Sequence, residues 1–265
     1  MKKLLSKERS INMQKLSPTI QLFLPVQTRL EKSFENYLGD ANLSLISCLK
    51  TYIETKDESL IILAGPESVG KTHLLSSAVL YCESYFGIET DCGYFSLPEL
   101  SETHISDTYY ADLLDYFETF NLLALDDVDI WLNGLSVEER IDAEVFLFNI
   151  FNHYKMNGKL LLIASKCPPS RLNIALKDLE SRLLSGLLLT VSELDDTGKN
   201  ELIRSLAKLK VFLMDDDVSA FILKRSGRDV PALLGIIDTL DKATLIEQRR
   251  LTDTFVKKIL NWRAS

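Results

Sequence analysis

From Ser59 onward the chain alternates short, apolar, β-rich runs with stretches whose apolar residues recur at helical spacing. That alternation predicts a parallel sheet with crossover helices. The predicted strands are Leu60–Ala64, Cys92–Leu97, Leu122–Leu125, Leu160–Ala164 and Leu187–Val191. One helix runs from the Gly65–Thr72 loop to about Phe86, and a second lies around Tyr109–Phe120. A long one opens on a capping box, Ser136 with Glu139, and Gly158 closes it in a left-handed cap. After about Ser192 the β signal fades. Helical stretches remain near Thr197–Leu209, Asp216–Arg225 and Pro231–Glu247, with a short tail ending at Trp262. The expected organisation is therefore a tail (1–28), an α/β domain (29–192) and a small all-helical domain (193–265). Residues 1–12 are polar, and Met13 offers an alternative start.

Composition narrows the class without changing this picture. Apolar residues make up 46% of the chain and charged residues 26%, which suits a soluble globular protein able to bury a full core. The net charge of −8 counts against direct binding of nucleic acid, which takes most of its affinity from phosphate neutralisation, and it leaves protein partners open. Cys48, Cys82, Cys92 and Cys167 stand far apart without a CxxC pair, as free thiols do in a reducing compartment, and His73, His104 and His153 show no ligand spacing. The first residues are charged where a signal peptide needs its apolar run, and no window approaches the length of a membrane span. A cytoplasmic protein without a membrane partner is expected.

The chemistry concentrates after the first and third strands. Gly65-Pro66-Glu67-Ser68-Val69-Gly70-Lys71-Thr72 matches G-x-x-x-x-G-K-[ST] in full. In such a loop successive backbone N–H groups cradle phosphates at a helix mouth whose dipole favours anions. Lys71 then reaches the β- and γ-phosphates and the Thr72 hydroxyl ligates Mg²⁺. The third run ends in Asp126-Asp127. A carboxylate there completes the Mg²⁺ shell beside Thr72, and Asp127 stands where many such proteins orient the attacking water. Asp129 reads as a solvated loop carboxylate and His73 as an ordinary helix residue.

These motifs, a fourth strand ending in a polar residue and a terminal helical domain resemble the AAA+ ATPases. Within them the likeness is to the DnaA family of replication initiators and its Hda branch of regulators, over nearly the whole chain from Gln21. Phe34-Glu35-Asn36-Tyr37-Leu38-Gly39 with Asn42 resembles the family's box near the adenine. Leu125-Asp126-Asp127-Val128 is similar to its metal-binding strand and Pro168-Pro169 to its paired prolines. Asp178-Leu179-Glu180-Ser181-Arg182-Leu183 resembles the segment carrying an arginine finger, which implies that Arg182 acts in trans on a neighbour's nucleotide. Leu251-Thr252 with Phe255–Leu260 is similar to the branch's terminus, and the chain leaves no room for a DnaA-type C-terminal DNA-binding domain. Gln21-Leu22-Phe23-Leu24-Pro25-Val26 resembles the peptide that partners of the replicative sliding clamp insert into its groove; a strand packed on the core is the other reading of this run.

Two positions depart from the family. Ser165-Lys166-Cys167 replaces the usual acidic-then-basic pair at the first sensor, and Pro231 stands where the second sensor has arginine, with Arg228 one turn earlier as a possible substitute. The resemblance implies an AAA+ P-loop core with a helical lid, holding ADP or ATP with Mg²⁺. Its partners would be DnaA and the sliding clamp, with DNA reached only through the clamp and a homo-oligomer left open. Its function would be to stimulate hydrolysis of DnaA-bound ATP and so inhibit re-initiation. An autonomous ATPase of helicase-loader type, or a nucleotide-stabilised clamp adaptor without effect on hydrolysis, are the alternatives.

Overall fold

The computed structural model describes residues 32–37, 42–87, 90–100, 109–210, 214, 216–227, 229–247 and 250–262. Five strands, β1 (Leu60–Ala64), β2 (Cys92–Ser96), β3 (Leu122–Asp126), β4 (Leu160–Ser165) and β5 (Leu187–Thr190), form one sheet in the order β2-β3-β4-β1-β5. All neighbours pair in parallel. A parallel sheet needs helices on both faces, which is why its central strands are apolar on both sides.

The faces sort by residue parity. Ile61, Leu63, Leu122, Ala124, Leu160 and Leu162 pack with α1 (Leu43–Thr55) and α2 (Lys71–Phe86). Leu60, Ile62, Leu123, Leu125, Leu161 and Ile163 face the other core. That core is covered by α3 (Leu97–Leu100), α4 (Tyr109–Phe117), α5 (Val128–Gly134), α6 (Val137–Met156) and α7 (Lys177–Ser185). Because side chains alternate along a strand, the even positions of β3 carry Asp126 to the same face as α2. That assignment brings the site together.

The predicted strands and long helices are present with small shifts. Leu97 opens α3 instead of closing β2, followed by Pro98, which is tolerated in a first helical turn. α4 stops at Phe117, short of Phe120. The Ser136–Glu139 capping box is made in both directions, and Gly158, just beyond α6, has φ +61°. Helix α1 and the 3₁₀ turns Phe34–Asn36 and Pro169–Arg171 were not anticipated from the sequence. α1 is rich in Ser, Thr and β-branched residues, whose helix propensity is modest. Burial of Leu45, Ile46, Leu49 and Ile53 stabilises it instead.

The helical domain comprises α8 (Asp196–Leu209), α9 (Asp216–Arg225), α10 (Val230–Glu247) and α11 (Asp253–Ile259). Asp195 caps α8 and Thr252 caps α11 through side-chain oxygens. Ile203, Ile222, Leu233, Ile237, Leu240, Phe255 and Val256 form a core of their own. The segment after Glu247, read from the sequence as a tail, therefore contains a structural helix. Seven residues are too few to show a period or to be stable alone, so packing decides. Among the described residues no helix is long and apolar enough to cross a membrane.

Phe255→Ala should cost about 3–5 kcal/mol of helical-domain stability, the usual loss for a buried aromatic. Urea unfolding followed by circular dichroism measures it. A loss within about 0.5 kcal/mol, typical of surface positions, would return this segment to the status of a tail.

Candidate functional site at the phosphate loop

The loop between β1 and α2 is shaped by two close approaches. A Cβ on Gly65 would stand 2.6 Å from the Val191 carbonyl oxygen. Gly70 has φ +93°, and a Cβ there would meet the Tyr37 ring at 2.7 Å. Tyr37 Oη donates to the Val69 carbonyl at 2.7 Å, and burial pushes its phenol up to about 12, so it stays a donor. Lys71, in the first turn of α2, donates through Nζ to the carbonyls of Gly65 (2.8 Å) and Pro66 (2.6 Å). Burial lowers the pKa of this ammonium, against the opposing pull of Asp126, Asp127 and Asp129.

Asp126, 1% exposed at the end of β3, accepts three hydrogen bonds. Thr72 Oγ1 donates to Oδ2 at 2.6 Å, Tyr94 Oη donates to Oδ2 at 2.9 Å, and the Asp127 N–H donates to Oδ1 at 2.9 Å. A buried charge is tolerated only with such pairing. The structure thus brings together Thr72 and Asp126 as expected and adds Tyr94, which the sequence reading missed. An aromatic on an edge strand reads as a β-former. Only the register, with Tyr94 opposite Ala124 and Ser96 opposite Asp126, puts it within reach. Asp127 is half-buried in the left-handed region at φ +55°, a conformation Asp tolerates better than most residues. Burial, then the Asp126 charge, raises its carboxyl, and Lys71 opposes them.

Two expectations are corrected beside the loop. Asp129 is a buried residue of α5, not a solvated carboxylate; its Oδ1 accepts from the Lys166 N–H at 3.0 Å. This fixes the end of β4, where the Ser165 hydroxyl donates to the Cys167 carbonyl and Lys166 Nζ pairs with Glu67 of the loop. His73 is not idle either. Its Nε2 lies 2.9 Å from the Ser33 carbonyl, which requires the Nε2–H tautomer, and its ring meets that of Tyr37 edge-on. Asn42 brackets the backbone of Ser192 through both amide atoms, at 3.1 Å each.

Arg182 is not part of this cluster. It lies half-exposed on α7, which covers the sheet face opposite α2, with its guanidinium 5.7 Å from the centre of the Phe151 ring. The helix that carries it is anchored by Glu144, 1% exposed on α6. The Glu144 carboxylate accepts from the N–H groups of Ala175 and Leu176, just before α7, and from Arg140 Nε. Pro231 occupies the first turn of α10, where the Ala232 N–H donates to Asp229 Oδ1 at 2.8 Å. Arg228, Leu38, Gly39 and the whole Gln21–Pro25 peptide lie outside the described residues.

Residues 31–190 match the family model of the bacterial DnaA ATPase domain, and residues 196–260 match that of the Hda lid domain. The chain belongs to the DnaA-type AAA+ family. An uncharacterized protein of Haemophilus influenzae is 33% identical over 242 residues, covering 91% of this chain and 98% of that protein. Domain III of the Thermotoga maritima initiation protein DnaA superposes with a TM-score of 0.75 at 19% identity, over 87% of this chain and 96% of that one. AMPPCP-bound DnaA from Aquifex aeolicus gives 0.64 at 24% identity, over 82% and 64% respectively. The Thermotoga maritima RuvB Holliday junction branch migration motor gives 0.62 at 18%, over 87% and 71%. The fold class expected from the sequence, an AAA+ core followed by a helical lid, is the one observed.

Two predictions follow from the supports of this DnaA-type core. Glu144→Ala leaves the Arg140 Nε–H and the Ala175 and Leu176 N–H groups without their acceptor, and should cost about 3 kcal/mol, the lower part of the range for breaking a buried pair, in chemical denaturation. The second concerns His73, whose pKa burial depresses below its ordinary 6.5. The unfolded chain then takes up the proton first, so this contribution is intact above about pH 6.5 and is lost as pH falls through the depressed value. Melting temperatures at pH 7.5 and 5.5 should differ more in wild type than in His73→Gln.

Proposed function

We propose that this chain is an adenine-nucleotide-bound regulator of replication initiation that stimulates hydrolysis of ATP on DnaA. One observation carries the reading: a core of the DnaA ATPase type continues into a lid of the Hda type. The residues at the loop fit a nucleotide with Mg²⁺. Lys71 Nζ spends two of its three N–H bonds on the Gly65 and Pro66 carbonyls, and the third is available to a phosphate. The Thr72 hydroxyl donates its hydrogen to Asp126, which leaves its oxygen lone pairs for a cation. Thr72 and Asp126 would hold the metal, which would supply positive charge to offset that of the phosphates.

In this reading Gly65–Thr72 hold ADP or ATP, Asp126 and Thr72 hold Mg²⁺, and Asp127 orients water. AMPPCP in the Aquifex aeolicus DnaA structure supports an adenine nucleotide at such a loop. Pro231 offers no charge to a phosphate, so the nucleotide serves mainly to hold core and lid in a docking-competent arrangement, and hydrolysis takes place on the partner. Arg182, on a surface helix pinned by Glu144, supplies a guanidinium in trans to that partner's γ-phosphate. Such a group is worth about 10³–10⁵ in rate in other systems. Gln21–Pro25, in a tail spanning residues 1–28, bind the DNA-loaded sliding clamp, with the α/β domain over 29–192 and the lid over 193–265. The protein works in the cytoplasm, and DNA is reached through the clamp.

The test combines purified protein, DNA-loaded clamp and ATP-bound DnaA. Wild type should raise hydrolysis on DnaA, and Arg182→Ala should abolish that rise while still binding nucleotide and clamp. Gln21→Ala with Leu22→Ala should lose co-elution with the clamp and keep nucleotide affinity. An unchanged DnaA hydrolysis rate, or full activity in Arg182→Ala, sinks the proposal. Turnover by the isolated chain that rises with single-stranded DNA would favour a helicase-loader ATPase instead.

A further inference from the structure

Asp126 receives one more side-chain donor than the Thr72 pairing requires. Tyr94 reaches it from the edge strand β2, and its register partner is Ala124, not Asp126. The ring therefore runs diagonally along the sheet face, and only its hydroxyl arrives at the carboxylate. Packing does not need that hydroxyl, because phenylalanine fills the same space.

We propose that Tyr94 is a positioning residue for the divalent cation of the nucleotide complex, acting through Asp126. The inference rests on the nucleotide-site reading above. Oδ1 is held by the Asp127 N–H, and Oδ2 takes both the Tyr94 and Thr72 hydroxyls. The Tyr94 hydroxyl is the side-chain donor on Oδ2 carried by a rigid ring, and together with the Asp127 N–H on Oδ1 it restricts rotation of the carboxylate about its Cβ–Cγ bond. A fixed Oδ2 directs the Thr72 O–H towards itself and leaves the Thr72 lone pairs free to hold a cation. Without Tyr94, Oδ2 is held only by a hydroxyl that itself rotates, and the two groups lose their common orientation. The phosphate contacts of the loop and Lys71 do not pass through Tyr94, so metal-free nucleotide binding is independent of it.

The experiment is a titration of fluorescent N-methylanthraniloyl-ADP into the full chain, with Mg²⁺ and separately with EDTA. The readout is the dissociation constant in EDTA divided by that in Mg²⁺. Tyr94→Phe should lower that ratio about fivefold, the scale of one charge-assisted hydrogen bond partly compensated by its neighbours. Its affinity in EDTA should stay within about twofold of wild type, a change too small for a lost contact. Tyr94→His, which restores a ring N–H donor, should recover part of the ratio and guards against a folding defect in the first variant. Asp126→Asn marks the limit at which the Mg²⁺ effect is gone. If wild type does not bind the probe, the nucleotide-site reading fails; if it binds with no response to Mg²⁺, the metal assignment of Thr72 and Asp126 fails, and in either case the inference goes with it. If wild type responds and Tyr94→Phe keeps its ratio, only the role of Tyr94 is wrong. Equal losses with Mg²⁺ and EDTA would also overturn it, since they would mean a structural part alone.

Discussion

The hydrogen bonds converging on the Asp126 carboxylate join three elements that the chain separates widely. α2 contributes Thr72, β2 contributes Tyr94, and the turn after β3 contributes a backbone N–H. A buried carboxylate without donors would be costly, so the site and the sheet must form together. The alternation of β3 settles the direction: Leu122, Ala124 and Asp126 share a face, and that face is covered by the helix that begins at the phosphate loop. Polar chemistry at the edge of the sheet and apolar packing beneath it are two ends of one alternating pattern.

Around this centre the loop is braced from several sides. Tyr37 supports its backbone at Val69, and the close fit of the Tyr37 ring admits only glycine at position 70. His73 ties the preceding segment to α2, and Lys166, whose backbone is held by Asp129, pairs with Glu67 on the loop's outer side. Lys166 at the end of β4 thus directs its ammonium at the loop's own glutamate. These contacts give the phosphate loop a defined shape before any ligand arrives, which lowers the ordering cost of binding.

The proposed regulatory role divides the labour between two faces of the same sheet. Nucleotide chemistry belongs to the α2 face and the strand ends. Arg182 belongs to α7 on the opposite face, held by a buried glutamate of α6. The glutamate fixes the backbone at the start of this helix, and the Arg182 guanidinium lies over the Phe151 ring. The lid has a separate core that includes α11.

Much of this was legible in the sequence because local physics governs it. The G-x-x-x-x-G-K-T string, the apolar run ending in Asp126 and the Ser136–Glu139 capping box each depend on residues close together in the chain. The period of apolar positions likewise placed five strands and most helices. What depends on partners distant in sequence was not legible. α1 and α11 are short or built of weak helix formers and exist because a core receives them. Asp129 and His73 look solvated or idle until the end of β4 and the Ser33 carbonyl are brought to them. Tyr94 reads as a strand residue until the β2–β3 register carries its hydroxyl to Asp126. The sequence by itself determined the family, the order of elements and the phosphate-binding motif. Tertiary structure alone decided which buried charge is paired with which donor, because register and helix docking bring together groups that no sequence spacing connects.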